Sequence, residues 1–275
     1  MADNKQLDDV IRNLNMLVHT HLPNIAYPFG DVISLAGKVA IEHAFKCIRI
    51  KWRPGRPPCG PEDKGFPGGG IQTFKELKPF NERYGFSRTE FGVLLSGSHG
   101  IKDAVLHVRS KEFPWVSRSS GVEYIKDSLN LKWWAKSSEN LRLQSPMPHV
   151  FKSGEKIRLP VDLMFFPDAV KESKKITPVS TIEVEEAAYP QQKYLLSLIT
   201  SDEVKFNNVF ADVYSKMLEI GITENDNMGD WYVDTPDPHE EDPRKHCPRG
   251  WYKAKIANIK DEDIHKDDYN KNDHY

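Results

Sequence analysis

Apolar residues recur at three- and four-residue spacing along several stretches of this 275-residue chain. Residues three and four apart lie on one face of a helix, so this spacing favours a fold built from helices that bury one face each. The first such stretch ends before Pro23. Its apolar residues are Leu7, Val10, Ile11, Leu14, Leu17 and Val18. The pattern predicts a mostly α-helical protein.

Two more helices are predicted from the same spacing. One lies in the stretch DVISLAGKVAIEHAF, where Asp31 is expected to be the N-cap residue. The other begins near Ser201 and ends at Gly221. Its apolar face consists of Phe206, Val209, Phe210, Val213 and Met217. Both stretches are long enough for several helical turns and a buried face.

A single histidine stands out in the stretch LLSGSHG. Ser87 and Glu90 form a capping-box pattern that predicts a helix start, and Gly100 is a natural stop. Within this helix Phe91, Leu95 and His99 share one face. The position of His99 alone allows a core histidine, a catalytic base or a metal ligand, and a core histidine is the commonest of the three.

Composition and charge exclude several classes of function. The chain has 38 Lys and Arg against 40 Asp and Glu, so no basic excess is available to neutralise nucleic-acid phosphates. The N-terminus MADNKQLDDV has no apolar signal core, and no segment is long and apolar enough for a membrane span. Three widely spaced cysteines favour a reducing compartment, cytoplasmic or otherwise intracellular.

Three segments are expected to be irregular. Residues 52–70 are too rich in Pro and Gly for regular structure, and residues 171–189 are expected to form a loop or hairpin insertion. Beyond residue 221 the chain is polar and dense in charge. We therefore expect a helical domain over residues 1–221 and a polar C-terminal extension over residues 222–275. This irregular arm is expected to pack through Trp231, Tyr232, Trp251 and Tyr252.

Five motifs occur in a characteristic order: DVISLAG followed by AIE, PGRPP followed by GFP, LLSGSHG, PW, and LPVD. In this order they resemble the haem peroxidases of the plant, fungal and bacterial superfamily. The similarity covers about residues 5–221 and is closest to the intracellular class, the ascorbate and cytochrome c peroxidases. The resemblance implies a helical haem-peroxidase-like fold with haem b as cofactor.

The resemblance also implies roles for individual residues. His99 would be the proximal ligand of the haem iron. Asp162 would accept a hydrogen bond from the other ring N–H, which gives the imidazole anionic character and favours oxidised iron. Trp115 would lie beside the imidazole as a possible radical site. The remaining residues that the family pattern places at the haem are Leu95, Ser96, Ile101, Lys102 and Pro67. Without haem, Trp115 would be a core aromatic residue and Asp162 a turn cap.

The chain departs from the family pattern on the side where peroxide is cleaved. The distal R-x-x-[WF]-H motif is absent, and the first predicted helix corresponds to the family's third or fourth, so the fold is expected to be N-terminally truncated. His19 and His21 fall where family members have an ordinary helix end. The family's proximal cation site uses a hydroxyl residue directly after the ligand histidine, and this chain has Gly100 there. The site also uses residues just past the tryptophan, where this chain has Val116 and Arg118.

One face of the haem would therefore be open, which would leave a large apolar patch. We expect a partner protein, a second copy in a homodimer, or residues 222–275 to cover it. Three functions remain open. The protein could be a haem oxidoreductase that uses hydrogen peroxide or oxygen on a small organic substrate. It could instead be a haem-binding pseudoperoxidase that acts as a sensor, carrier or interaction partner. In the third alternative the protein has lost haem, and His99 and Asp162 form a buried, purely structural pair.

Overall fold

The computed structural model describes residues 8–21, 23, 28–44, 48–57, 71, 73–99, 121–137, 149–154, 156–176, 186–201, 203–223 and 226–231. These residues are mostly helical, as the spacing of apolar residues predicted. The helices are α1 (Asp8–His21), α2 (Phe29–Ala44), α3 (Phe74–Tyr84), α4 (Arg88–His99), α5 (Gly121–Asn130), α6 (Pro160–Leu163), α7 (Pro167–Ile176), α8 (Ala188–Ser201) and α9 (Glu203–Leu218). The strands are β1 (Trp134–Ser137), β2 (His149–Ser153) and β3 (Lys156–Arg158).

Helix α4 lies at the centre of the packing and contacts α5, α8 and α9. Two glycines on α4 allow this close approach. A Cβ atom at Gly92 would lie 2.9 Å from Cδ1 of Phe165, and one at Gly97 would overlap the ring of Phe210. Both phenylalanines are buried. Burying a side chain of this size stabilises a fold by about 1.5–3 kcal/mol, so the glycines place α4 where large aromatic residues can pack on it.

The start of α4 agrees with the sequence analysis, and α9 (Glu203–Leu218) lies within the predicted bounds but ends three residues before Gly221. The Ser87 hydroxyl accepts a hydrogen bond from the Glu90 backbone N–H at 3.1 Å, and the Glu90 carboxylate accepts one from the Ser87 backbone N–H at 2.7 Å. The capping box is thereby confirmed. Phe206 and Phe210 of α9 are fully buried and stack with ring centroids 6.2 Å apart. Gly221 follows α9 with φ of 84°, a left-handed conformation that favours glycine.

The expectation that Asp31 caps α2 is wrong. The helix begins at Phe29, two residues earlier, and Asp31 lies in its first turn. The carboxylate instead binds a distant loop: it accepts hydrogen bonds from the backbone N–H groups of Gly55 at 2.7 Å and Arg56 at 3.1 Å. The Arg56 guanidinium also donates to it at 3.0 Å. Asp31 therefore joins α2 to residues 48–57 rather than capping the start of the helix.

The loop or hairpin expected over residues 171–189 is also wrong where the structure describes it. Helix α7 continues to Ile176, and α8 begins at Ala188; residues 177–185 lie outside the described residues. Ala169, Val170 and Ser173 are buried at helical spacing. The lysines of this stretch are exposed and make its composition polar, so the short buried face could not be predicted from composition.

The strands β1, β2 and β3 form an antiparallel sheet in sequence order, which the sequence analysis did not predict. In its register Phe151 pairs with both Ala135 and Arg158. Such short strands carry too few residues for a clear alternation of polar and apolar side chains. The sheet matters for the site because β3 ends one residue before the turn that contains Asp162.

The chain after α9 returns to residues 48–57. The Gly229 backbone N–H donates to the Pro54 carbonyl at 2.8 Å, and the Arg53 guanidinium lies 4.7 Å from the ring centre of Trp231. Of the aromatic residues expected to anchor the C-terminal extension, Tyr232, Trp251 and Tyr252 lie outside the described residues. In the part of the chain that is described, no helix is both long enough and apolar enough to cross a membrane.

Candidate functional site

His99 is the last residue of α4, and the last turn of this helix prepares its position. Ser96 is buried and Leu95 is partly buried against the core, so the turn is held firmly before the chain leaves the helix. The His99 side chain is 29% exposed. The carbonyl groups at a helix C-terminus favour a positive or hydrogen-bond-donating group nearby. His99 is thus anchored by its backbone while part of its ring reaches the surface.

Asp162 comes from the Leu-Pro-x-Asp turn that opens α6. Pro160 occupies the first position of this short helix, where a missing N–H costs nothing. One carboxylate oxygen, Oδ2, accepts a hydrogen bond from the Leu159 backbone N–H at 2.8 Å. The other, Oδ1, lies 2.7 Å from Nδ1 of His99. The turn therefore fixes the carboxylate, and the carboxylate fixes the imidazole.

The protonation of this pair follows from its environment. Burial raises the pKa of Asp162, but the charge and hydrogen bond of His99, the Leu159 N–H and the charge of Arg158 together leave this pKa below its ordinary value. Burial lowers the pKa of His99, and Asp162 more than offsets that effect, so this pKa is raised. Because an ionised carboxylate only accepts hydrogen bonds, Nδ1 must carry the proton and donate it. Within the described residues Nε2 has no hydrogen-bond partner.

Tyr124 of α5 forms one wall of the site. Its ring meets the His99 ring edge to face, with centroids 6.4 Å apart, and the side chain is 1% exposed. The phenol oxygen is buried and has no hydrogen-bond partner of regular geometry in the described part of the chain. Burial and the negative charge of Asp162 raise the pKa of Tyr124 well above its ordinary value. The phenol therefore stays neutral.

Arg158 lies behind this wall and is fully buried. Its Nε donates to the Ser128 hydroxyl at 2.9 Å, and its Nη2 donates to the Tyr124 carbonyl at 3.2 Å. The guanidinium carbon lies 3.6 Å from the ring centre of Tyr124 and 5.1 Å from that of Trp133. A cation on an aromatic face is attracted by the ring quadrupole. The site thus contains a buried positive charge as well as the buried carboxylate.

Neither Tyr124 nor Arg158 was predicted from the sequence as a functional residue. In the run Lys156, Ile157, Arg158, the alternation of polar and apolar residues would pair Arg158 with Lys156 on an exposed face. The structure buries Arg158 instead. The only indication in the sequence was that Arg158 lies four residues before Asp162. That spacing indicates a shared site only when both residues are known to be buried.

The other expected site residues divide into two groups. Leu95 and Ser96 lie in the last turns of α4, close in sequence to His99. Several others lie outside the described residues: Trp115, Pro67, Ile101, Lys102, Gly100, Val116 and Arg118. His19 and His21 are exposed on α1. The structure therefore brings together His99 and Asp162 and adds Tyr124 and Arg158 to them.

The side chains of this site suit a metal ion whose other ligands come from a cofactor rather than from the protein. Among the described residues no three His, Cys, Asp or Glu side chains form a group that could hold a metal ion. A haem iron takes four nitrogens from its porphyrin and needs only an axial ligand from the protein. A histidine whose other ring nitrogen is held by a carboxylate is a suitable axial ligand.

Known proteins with similar sequences point in the same direction. No protein-family model matches the chain. A Mycosarcoma maydis protein named "Putative heme-binding peroxidase" is 29% identical over 205 residues, 72% of this chain and 56% of that protein. A protein of the same name from Aspergillus fumigatus is 27% identical over 205 residues, 72% of this chain and 58% of that protein.

A third relative, from Yarrowia lipolytica, is named "Putative cytochrome c peroxidase, mitochondrial" and is 24% identical over 201 residues. That match covers 70% of this chain and 61% of the relative. The chain thus spans about three fifths of the length of the curated relatives it matches. At this low identity it is similar to peroxidase-like proteins, two of which are named as haem-binding.

Proposed function

We propose that this protein binds haem b with Nε2 of His99 as the axial ligand of the iron. The observation that carries the proposal is the contact between His99 and Asp162. Asp162 is 2% exposed and holds Nδ1, while the His99 side chain is 29% exposed. In a neutral imidazole whose Nδ1–H donates a hydrogen bond to a carboxylate, Nε2 is unprotonated, which is the form that binds iron. The names of the relatives support haem as the ligand.

The residues around His99 fit this cofactor in chemical type. Leu95 and Ser96, on the same helix, would form part of the proximal surface against the porphyrin. Ile101, Lys102, Pro67 and Trp115 complete the proposed haem contacts, with Trp115 beside the imidazole as a one-electron site. When bound, the haem supplies an iron centre that exchanges electrons with peroxide or oxygen. Asp162 orients the ligand and donates negative charge toward it.

The proposed activity is that of a peroxidase-like oxidoreductase, which uses hydrogen peroxide or oxygen to oxidise a small organic substrate. A haem-binding pseudoperoxidase, acting as a sensor or interaction partner, is the second candidate. It is favoured by one specific observation: the sequence contains no R-x-x-[WF]-H motif. In the haem peroxidases that the sequence resembles, that motif supplies the base and the cation for peroxide cleavage.

We propose that a partner protein, a second copy of the chain or residues 222–275 cover the face of the haem opposite His99. Three cysteines in 275 residues favour a reducing, cytoplasmic or otherwise intracellular compartment. The net charge of −2 gives no reason to expect a nucleic-acid partner.

Titration with hemin tests the proposal. Wild-type protein should give a Soret band at one haem per chain, and His99→Ala should lose it. His21→Ala is the matched control, because that histidine is exposed on α1 and should leave the band unchanged. Added imidazole should restore the band in His99→Ala by taking the place of the missing side chain. Stoichiometric binding that survives in His99→Ala without imidazole would contradict the proposed ligand.

Addition of hydrogen peroxide to the loaded protein then separates the two candidate functions. Turnover of a reducing dye, lost in His99→Ala, would support the oxidoreductase. A His99-dependent Soret band without turnover would support the pseudoperoxidase. The absence of stoichiometric haem in wild-type protein would reject both and leave His99 and Asp162 as a structural pair.

A further inference from the structure

We propose that the exposed side of helix α2 is a docking surface for residues 232–275 of the same chain. This docking is independent of the proposed haem site, because it follows from the burial pattern of α2 and from the place where the described chain ends. The surface is an outer stripe made of Phe29, Ile33, Ala36 and Ala40, with Val39 at its edge.

Helix α2 turns polar side chains toward the rest of the structure. Its buried side chains, among those described, are Asp31, Ser34, Lys38 and Ile41. The Ser34 hydroxyl accepts a hydrogen bond from the Trp52 indole N–H at 2.9 Å. The Lys38 ammonium group donates to the Glu42 carboxylate at 2.8 Å. Buried polar groups need such partners, so the side of α2 that packs on the domain is largely its polar side.

The outer stripe is the apolar side of the same helix. Its four main residues are spaced at i, i+4, i+7 and i+11, so they share one face over three turns, about 17 Å in length. Phe29, Ile33 and Val39 are 36%, 45% and 51% exposed, and helix α1, which contacts α2, leaves them so. A stripe of this kind is normally buried against another element, and an exposed apolar patch marks an interaction surface.

The described chain ends beside the loop that is bound to the start of α2. The Gly229 N–H donates to the Pro54 carbonyl at 2.8 Å, and a Cβ atom at Gly55 would lie 2.8 Å from the Asn227 carbonyl oxygen. The Gly55 N–H in turn donates to Asp31, in the first turn of α2. Residues 232–275 therefore continue from the end of α2 at which the outer stripe begins.

The occupant has the length and the pattern to fit this surface. A flexible stretch of about twenty residues, the separation of Trp231 from Trp251, spans about 25 Å on average, more than the length of the outer stripe. Tyr252, Ile256 and Ile259 follow at i, i+4 and i+7, the spacing that predicts one apolar helical face. A helix of so few turns is not stable alone, and the small side chains of Ala36 and Ala40 leave room for its larger ones.

A second copy of the chain is a weaker candidate for the same surface. The outer stripe is about 17 Å long and only about 10 Å wide, the width of one helix. Two copies that met through it would bury far less than the about 1,200–2,000 Å² of a stable interface. A tethered segment needs less area, because its effective concentration at the surface is about millimolar.

Photocrosslinking in the full-length, haem-free chain tests the proposal. With p-benzoylphenylalanine in place of Ile33, irradiation should join the outer stripe to a peptide within residues 232–275 of the same molecule, as read by mass spectrometry of the monomer band. The same probe in place of Trp134 is the matched control, because that side chain is also exposed but lies on β1. It should give no crosslink to residues 232–275.

Three results would overturn the proposal: a crosslink from Ile33 to a second chain, no crosslink to residues 232–275, or an equal crosslink from Trp134. If the Ile33 variant does not fold, the probe in place of Phe29 repeats the test, since it replaces one aromatic side chain with another. Every outcome leaves the proposed haem site untouched, because no haem is present.

Hydrogen exchange in the full-length chain tests the occupant from the other side. Ile256→Asp should uncover the outer stripe and speed amide exchange in α2 by about tenfold or more, the effect of losing one buried side chain of this size. Ile264→Asp is the matched control, because Ile264 lies off the face formed by Tyr252, Ile256 and Ile259. It should leave exchange in α2 unchanged. Equal exchange in α2 for wild type and Ile256→Asp would reject the docking.

Discussion

Nδ1 of His99 lies 2.7 Å from Oδ1 of Asp162, although 63 positions separate the two residues in the chain. His99 ends a central helix and Asp162 opens a short one after a sheet, so the contact joins two halves of the domain. Asp162 uses its second oxygen to bind the Leu159 backbone at 2.8 Å. Such a doubly held carboxylate confines the imidazole to one orientation and one tautomer.

Asp162→Asn should weaken haem binding while the fold is retained. The amide can occupy the same space, but it lacks the charge that holds the proton on Nδ1. We expect the affinity for hemin to fall by about 10- to 100-fold, the usual effect of removing a partner of a ligating histidine. Hemin titration at neutral pH measures it. Asp168→Asn, which changes an exposed carboxylate on α7, should bind hemin like wild type.

The stability of the haem-free protein should depend on pH through the same pair. The pKa of His99 is raised above 6.5, so its contribution is complete below 6.5 and is lost as the pH rises through the raised value. The pKa of Asp162 is lowered below 3.8, so its contribution is complete above 3.8 and is lost as the pH falls through the lowered value. The pair therefore stabilises most between 3.8 and 6.5.

Urea unfolding of wild type and Asp162→Asn across this range measures the effect. The difference between their free energies of unfolding should be largest between pH 3.8 and 6.5 and should decline on either side. Taking the difference removes the contributions of other titrating groups. A difference that grows as the pH rises above 6.5 would be inconsistent with the raised pKa of His99.

Gly97→Ala should destabilise the protein and disturb His99. A methyl group at this position would overlap the ring of buried Phe210 on α9, so one helix must move. Overpacking of this kind costs about 1–3 kcal/mol. Because Gly97 is two residues before His99, weaker hemin binding should accompany the loss. Gly30→Ala is the control: its nearest neighbour would be 3.6 Å away, and it should be neutral or slightly stabilising in thermal unfolding.

Asp31→Ala should be among the most destabilising single changes outside the site. The side chain accepts hydrogen bonds from two backbone N–H groups and from the buried guanidinium of Arg56, and removal leaves that charge without the carboxylate. Breaking such a buried pair costs about 3–5 kcal/mol. Glu82→Gln removes a comparable ion pair with Lys78 that is mostly exposed, and should change the free energy of unfolding by less than about 1 kcal/mol. Similar urea midpoints for the two variants would refute this prediction.

The helix that carries His99 could be predicted from the sequence because its determinants are local. The Ser87–Glu90 capping box and the spacing of Phe91, Leu95 and His99 act within one or two turns. The choice of Asp162 as the partner of His99 came from the order of family motifs, and the residues lie in contact. Their role at a haem stays a prediction. Trp115, which the same resemblance singled out, lies outside the described residues.

Local pattern misled where a side chain's role depends on a distant segment. Asp31 has the chemistry of a helix cap, but its carboxylate accepts hydrogen bonds from Gly55 and Arg56 instead. The lysines in α7 suggested a loop, because the helix has only a few buried residues to reveal an apolar face. In each case a tertiary contact outweighed the local preference, which is worth about 1 kcal/mol or less per residue.

The sequence by itself determined the predominance of helices, the start and end of α4, and the candidacy of His99, since these depend on residues a few positions apart. Tertiary structure decided that His99 is held by Asp162, that Tyr124 stands against its ring, and that Arg158 is buried rather than exposed on a strand. The reason is that burial and electrostatic coupling arise between segments brought together only by packing. Arg158, four residues before Asp162 in the chain, is buried because its guanidinium packs against the rings of Tyr124 and Trp133.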